Sequence, residues 1–230
     1  MRTPTICLAT LLGAVTATAQ AAPAARTAEA GEYRFAVTPF IGYRLGGSFS
    51  ASNDAGQEAS QEASEDVSLE DTASFGLIIN VPAERVAGDA YTEWEFYVSR
   101  QSAGLDQAPA TVDPSLELEI THFLLGGTYV GEGELVRPFV AAGIGAAHFS
   151  PDTSGYDSDT VFAFGLGAGG QFFPARRVGL RLEGRVLGSV IDSDSAVFCT
   201  SGSAGATCAF HTNGDVLWQW EVFAGLTARF

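Results

Sequence analysis

The chain ends on VLWQWEVFAGLTARF, residues 216–230, and the reading of this stretch decides the fold. Every second residue is apolar: Val216, Trp218, Trp220, Val222, Ala224, Leu226, Ala228 and Phe230. The other register runs Leu217, Gln219, Glu221, Phe223, Gly225, Thr227 and Arg229. Side chains alternate across a β-strand, so this strand has one greasy face and one largely polar face. Soluble sandwich strands alternate too, but seldom for so long, with two tryptophans on the apolar side and a closing Phe. A strand that crosses a bilayer must offer apolar side chains to lipid and polar ones to the barrel interior. Residues 216–230 fit that demand.

The start of the chain agrees with its end. Arg2 supplies a thin positive region, Ile6 to Ala17 an apolar run, and Ala17, Ala19 and Ala21 the small residues of a cleavage site. This predicts a secretory signal peptide over 1–21, followed by a short Ala-rich leader over 22–32. Cys7 lies too early in the apolar run to be a lipidated cysteine. After its removal Cys199 and Cys208 remain, an even pair in an exported chain, which predicts a disulfide. The 230 residues carry a net charge of -15, and all 12 basic side chains are Arg, so a nucleic-acid partner is excluded. With 27 Gly and 16 Phe, residues 33–230 read as a single all-β domain.

Alternation recurs upstream and predicts eight strands: Tyr33–Leu45, Thr72–Val81, Tyr91–Gln101, Leu116–Val130, 137–149, Thr160–Phe173, Val178–Val190 and 216–230. Pro82 is expected to end the second. Long connections at 46–71, 102–115, 150–159 and 191–215 alternate with short turns. The first holds a tandem QEASQEAS and seven acidic side chains, and it is expected to be a mobile loop. In the fourth strand we place Leu118, Ile120, His122 and Leu124 outward, with Glu117, Glu119, Phe123 and Tyr129 inward.

The inward faces then carry Arg34, Arg44, Arg181, Arg185 and Arg229 against Glu93, Glu95, Glu117, Glu119, Glu183 and Glu221. An eight-stranded barrel is just wide enough for side chains to fill, and buried ions are normally paired. We therefore expect a salt-bridged plug, with a selectivity path or proton relay as the other reading. The loop DTSGYDSD holds Asp152, Asp157 and Asp159 but lacks the ligand spacing of an EF-hand. The loops read as a solvated acidic coat, with no metal and no cofactor.

These features together resemble the small eight-stranded outer-membrane β-barrel family, the OmpA/OmpX type. The resemblance is carried by THFLLGGTYV at 121–130, RPFVAAGIGAAHF at 137–149, FAFGLGAGGQFF at 162–173, the inward Arg181, Glu183 and Arg185, and the terminal Phe230. It implies an all-β, eight-stranded antiparallel up-and-down transmembrane β-barrel in a Gram-negative outer membrane. Long loops would face outside and both termini the periplasm. Outer-membrane lipid and lipopolysaccharide would surround it. The last strand resembles the signal read by the barrel assembly machinery, through Phe230, Leu226 and Val222.

Members of that family include inert anchors, adhesins, small channels and a few lipid-modifying enzymes, so the fold does not choose a function. His148 and Ser150 are similar to the His-x-Ser pair of lipid A deacylases. No Glu follows at the family distance; Phe162 stands near that place, and only Asp157 or Asp159 in the loop could substitute. The expectation is a non-enzymatic structural or surface-interaction protein with no catalytic residues and an unidentified external partner. The alternatives are a narrow porin-like channel and, third, a lipid A deacylase-like hydrolase.

Overall fold

The computed structural model describes residues 33–52, 64–107, 117–152, 158–173, 177–191, 199–202, 205–208 and 216–230. The expected signal peptide and leader lie outside these. The strands are β1 (Ala36–Leu45), β2 (Ser48–Ser52), β3 (Ser64–Leu69), β4 (Thr72–Ala87), β5 (Ala90–Gln107), β6 (Glu117–Val130), β7 (Val136–Pro151), β8 (Asp159–Phe172), β9 (Val178–Val190), β10 (Cys199–Gly202), β11 (Gly205–Cys208) and β12 (Val216–Arg229).

Eight of them, β1, β4 to β9 and β12, pair antiparallel in turn around a ring. It closes where β12 meets β1, from Ala36↔Arg229 at one end to Leu45↔Trp220 at the other. Closure leaves no unpaired strand edge inside the bilayer, where an unmet backbone group would cost several kcal/mol. The ends of the barrel differ. The terminal end carries the first described residue, Tyr33, the last, Phe230, and the short connections, one of them a turn at Gly88, whose φ of 57° suits glycine. The loop end carries the long connections.

Outward side chains form an apolar belt in which Ile41 is 75% exposed, Leu226 64% and Trp94 62%. Side chains of this kind left uncovered on every strand would aggregate in water and suit lipid. Inward ones are buried, and the core of the molecule is the lumen.

Three expectations need correction. β4 does not stop at Pro82 but runs to Ala87, with the register against β5 shifting after Pro82 and after Arg85. Irregular pairing accommodates a residue that has no N–H to donate. The acid-rich 46–71 connection is not wholly loop. Ser48–Ser52 pairs with Ser64–Ser68, and β3 then joins the extended end of β5 through Leu69↔Leu105. Composition hid this because the described anchor is an apolar side chain among acidic neighbours: Leu69 is 4% exposed and belongs to the lumen core. A second hairpin, β10–β11, stands in the 191–215 connection.

The third correction is the register of β6. Leu118, Ile120, His122 and Leu124 point into the lumen and are buried, while Phe123, Leu125 and Tyr129 face outward. Both registers of this strand are largely apolar, so hydropathy alone could not orient it. Glu117 and Glu119 led to the inverted reading. They lie at the loop end of the strand, beyond the belt, where an outward carboxylate meets water and costs nothing.

Candidate functional site

The inward column of β5, from Glu93 through Glu95, Tyr97, Ser99 and Gln101 to Ala103, climbs from the terminal end to the loop end and marks the layers of the lumen. The layer at Glu95 is a closed ring of charge. Arg181 Nη2 reaches Glu95 Oε2 at 2.8 Å and Glu183 Oε2 at 2.6 Å. Arg185 Nη2 reaches Glu95 Oε1 at 2.5 Å and Glu183 Oε1 at 2.6 Å. β5 and β9 stand four places apart in a ring of eight, so Glu95 meets the two arginines across the full width of the barrel.

The ring is well supported. Thr128 donates to Glu95 Oε2 at 2.6 Å, and Arg181 donates to Asn80 Oδ1 at 3.1 Å. The guanidinium of Arg181 lies 4.3 Å from the centre of the Phe139 ring, and that of Arg185 lies 4.1 Å from Tyr97. Room for all this comes from the glycine-rich β8. A Cβ on Gly167 would sit 2.2 Å from Glu183 Oε1, so any side chain there would have to displace the ring.

Above the ring is an aromatic layer, in which Phe40 stacks on Phe223 at 4.2 Å and on Tyr97 at 5.7 Å. Glu221 accepts from Arg44 Nη2 at 2.8 Å and from the Tyr97 hydroxyl. Arg44 also donates to the Ser99 hydroxyl, and its Nη1 lies 3.3 Å from His122 Nδ1. Arginine only donates, so that nitrogen must accept, and His122 Nε2 donates to Ser189 Oγ at 3.2 Å. Toward the loop end the lumen is apolar, filled by Leu69, Leu118, Ile120, Phe149, Leu187 and Leu217.

The terminal mouth is closed by residues on either side of the seam. Tyr33 precedes β1 and turns inward, donating its hydroxyl to Glu93 Oε1. Burial, and then the Glu93 carboxylate beside it, push the Tyr33 phenol well above its usual range, so it keeps the proton it donates. The Arg229 guanidinium lies 3.4 Å from the centre of the Phe173 ring and 4.5 Å from that of Tyr33, and Arg229 donates to the Tyr91 hydroxyl at 3.2 Å.

Of the eleven charged residues expected inside, the structure brings Arg44, Glu93, Glu95, Arg181, Glu183, Arg185 and Glu221 into the lumen and sets Arg229 at its mouth. It does not bring in the other three. Arg34 is exposed, because β1 begins at Ala36 and the alternation does not extend back to it. For the same reason Tyr33, expected as the first residue of the strand, lies before β1 and caps the lumen. Glu117 lies outside, and Glu119 pairs with Arg100 on the outer surface, their side chains 29% and 49% exposed. Asn80, Thr128, Gln101, Gln219 and His122 join the lumen network outside the expected charged set, although the alternation already put Asn80 and Gln219 on inward registers. The first four are uncharged and left no charge signal; His122 sat on the inverted face of β6.

Outside the lumen, His148 Nδ1 lies 2.9 Å from Thr160 Oγ1. On β6 and β7, Ser150 stands opposite Glu119. His148 thus has a threonine hydroxyl at one ring nitrogen, and Glu119 is engaged with Arg100. Asp157 lies outside the described residues. Among the described residues no group of three His, Cys, Asp or Glu could hold a metal ion. A groove of about 550 Å³ runs over Gly127 and Ala142 between Tyr129, Val140 and Leu166, all of which face outward from the barrel.

No family model matches the sequence, and no curated protein matches it. Solved structures do match in fold. Neisserial surface protein A shares 14% identity at a TM-score of 0.52, over 85% of this chain and 97% of its own. The outer membrane protein AlkL, determined in lipid bilayers, gives 12% and 0.51 over 93% and 97%. OprG of Pseudomonas aeruginosa, an outer membrane protein, gives 12% and 0.50 over 85% and 95%. At such identities the likeness speaks for the fold alone. The chain is thus an all-β, eight-stranded antiparallel up-and-down transmembrane β-barrel, with the fold of the small outer-membrane barrels.

Proposed function

We propose that this protein is a non-enzymatic barrel of the Gram-negative outer membrane, a rigid plugged stalk that presents its loop-end hairpins as an interaction surface. The observation that carries this reading is the Arg181–Glu95–Arg185–Glu183 ring, which bars the lumen from β5 to β9. A solute path would have to break four ion pairs between buried groups and then part the apolar layer above them. That favours a plug over a narrow channel. The contact of His148 with the Thr160 hydroxyl, and the pairing of Glu119 opposite Ser150 with Arg100, disfavour a hydrolase.

In this reading both termini are periplasmic and the loop end faces outside. Lipid and lipopolysaccharide contact the belt, and the assembly machinery reads the outward Val222, Leu226 and Phe230 of β12 and its end, which are 60%, 64% and 60% exposed. The orientation has a direct test. Proteinase K added to intact cells is expected to cut the loop-end connections and to spare a tag at the mature N-terminus. Loss of the tag with intact loops would reverse the orientation and remove the surface role.

The backbone register that sets Cys199 opposite Cys208 supports a disulfide across β10–β11. Closing so short a loop stabilises by roughly 2 to 3 kcal/mol in the chain-entropy picture. Alkylation of the unfolded, unreduced protein is expected to leave both cysteines unlabelled. Two labels per chain would eliminate the bridge.

A further inference from the structure

From the Arg44 layer up to the apolar cap runs a set of buried polar atoms that no group among the described residues answers. They are Arg44 Nε, Thr72 Oγ1, Ser74 Oγ, Gln101 Nε2 and Gln219 Oε1. Arg44, Ser74, Gln101 and Gln219 are at most 2% exposed. A buried polar atom without a partner costs about 1–3 kcal/mol, so such atoms are normally rare and scattered. Here they fall on adjoining inward positions of β1, β4, β5 and β12. Arg44 stands opposite Thr72 and opposite Glu221, and Ser74 stands opposite Gln101. Gln219 stands one inward position before Glu221 on β12 and donates from Nε2 to Gln101 Oε1 at 3.2 Å.

The partners already made explain which atoms are left. Arg44 commits Nη1 and Nη2 to His122, Ser99 and Glu221, which leaves Nε–H. The single bond between the two glutamines leaves the NH2 group of one amide and the oxygen of the other without a partner. Turning both amides over exchanges their owners and keeps that count.

The set comprises two obligate donors, one obligate acceptor and two hydroxyls that serve either way. An anion would meet the Gln219 carbonyl oxygen, and a cation would meet the Arg44 guanidinium. The fitting occupant is small, neutral, and both donates and accepts. We propose that this set of atoms is a binding site for a buried water cluster of about two molecules, each making the usual two to four bonds.

This inference rests on the plugged reading of the lumen and gives it a further property. The water joins the Arg44 network to the two glutamines, so hydrogen bonding continues up the lumen to the underside of the apolar cap. Leu118, Ile120, Leu187 and Leu217 separate it from solvent at the loop end.

The test is oxygen-17 magnetic relaxation dispersion on the full mature chain refolded in micelles, with bilayer conductance measured on the same preparation. The wild type is expected to show long-lived internal water, and Gln101→Leu/Gln219→Leu to lose about two molecules of it. An unchanged signal in a folded double variant would overturn the site. Should that variant fail to fold, a high-resolution crystal structure of the wild type decides. Density within hydrogen-bond distance of Arg44 Nε and Gln219 Oε1 supports the site, and its absence there refutes it. A closed lumen with no long-lived water defeats the water site and leaves the plug standing; a conducting lumen defeats the plug itself.

Discussion

Glu95→Leu is expected to lower the unfolding free energy of the barrel by about 3–5 kcal/mol, read from urea titrations in detergent or lipid vesicles. Glu95 and Glu183 each bridge both arginines, so the ring holds two positive and two negative groups. Removing one carboxylate leaves Arg181 and Arg185 sharing Glu183, with one positive charge uncompensated among side chains no more than 4% exposed. The lumen offers it little water. Most of the cost comes from the stranded charge and not from the loss of the pair's net worth. The variant Glu95→Leu/Glu183→Leu/Arg181→Met/Arg185→Met, which removes all four charges at similar volume, should therefore recover most of the loss. A single variant within about 1 kcal/mol of wild type, or a quadruple variant as unstable as the single, would contradict this account of the ring.

The aromatic layer predicts a loss of similar size by a different cause. Phe223→Ala removes a ring that is 3% exposed and stacked 4.2 Å from Phe40, leaving a cavity between Phe40 and Tyr97. Truncating a buried Phe costs about 3–5 kcal/mol, because lost transfer energy adds to the cavity term. The wall around it can collapse little, since its strands are pinned by ladders on both sides. Phe223→Leu should retain more than half of the lost stability. Equal losses for Ala and Leu would show that stacking geometry, and not filled volume, sets the cost.

Much of the barrel was legible because lipid imposes the pattern. Val178 to Val190 alternates without a break, and the structure begins and ends β9 at those residues. Residues 216–230 give the last strand to within one residue. Legibility failed where an element leaves the bilayer. At Glu117 and Glu119 the outer face turns from lipid to water, and an outward charge no longer marks the lumen. Leu69 shows the opposite failure, where one buried side chain anchors a hairpin that its acidic neighbours disguise.

The candidate site was legible by charge and not by partnership. Inward Arg181, Glu183 and Arg185 follow from the alternation of β9 alone. That Glu95 would meet them requires closure of the ring, which places β5 opposite β9. Gly165, Gly167 and Gly169 were readable as inward and small. What each makes room for appears only once the strands are paired: Leu124 and Leu187 at Gly165, the Glu183 carboxylate and Arg185 guanidinium at Gly167, and the Phe139 ring at Gly169.

The plug is the central claim, and single-channel recording of the refolded mature chain in a planar bilayer tests it most directly. The account predicts a quiet membrane for the wild type, with openings emerging only in variants that remove both the Arg–Glu ring and the apolar side chains above it. Steady, reproducible conductance steps in the wild type, altered by Glu95→Gln, would contradict it and make the lumen a path.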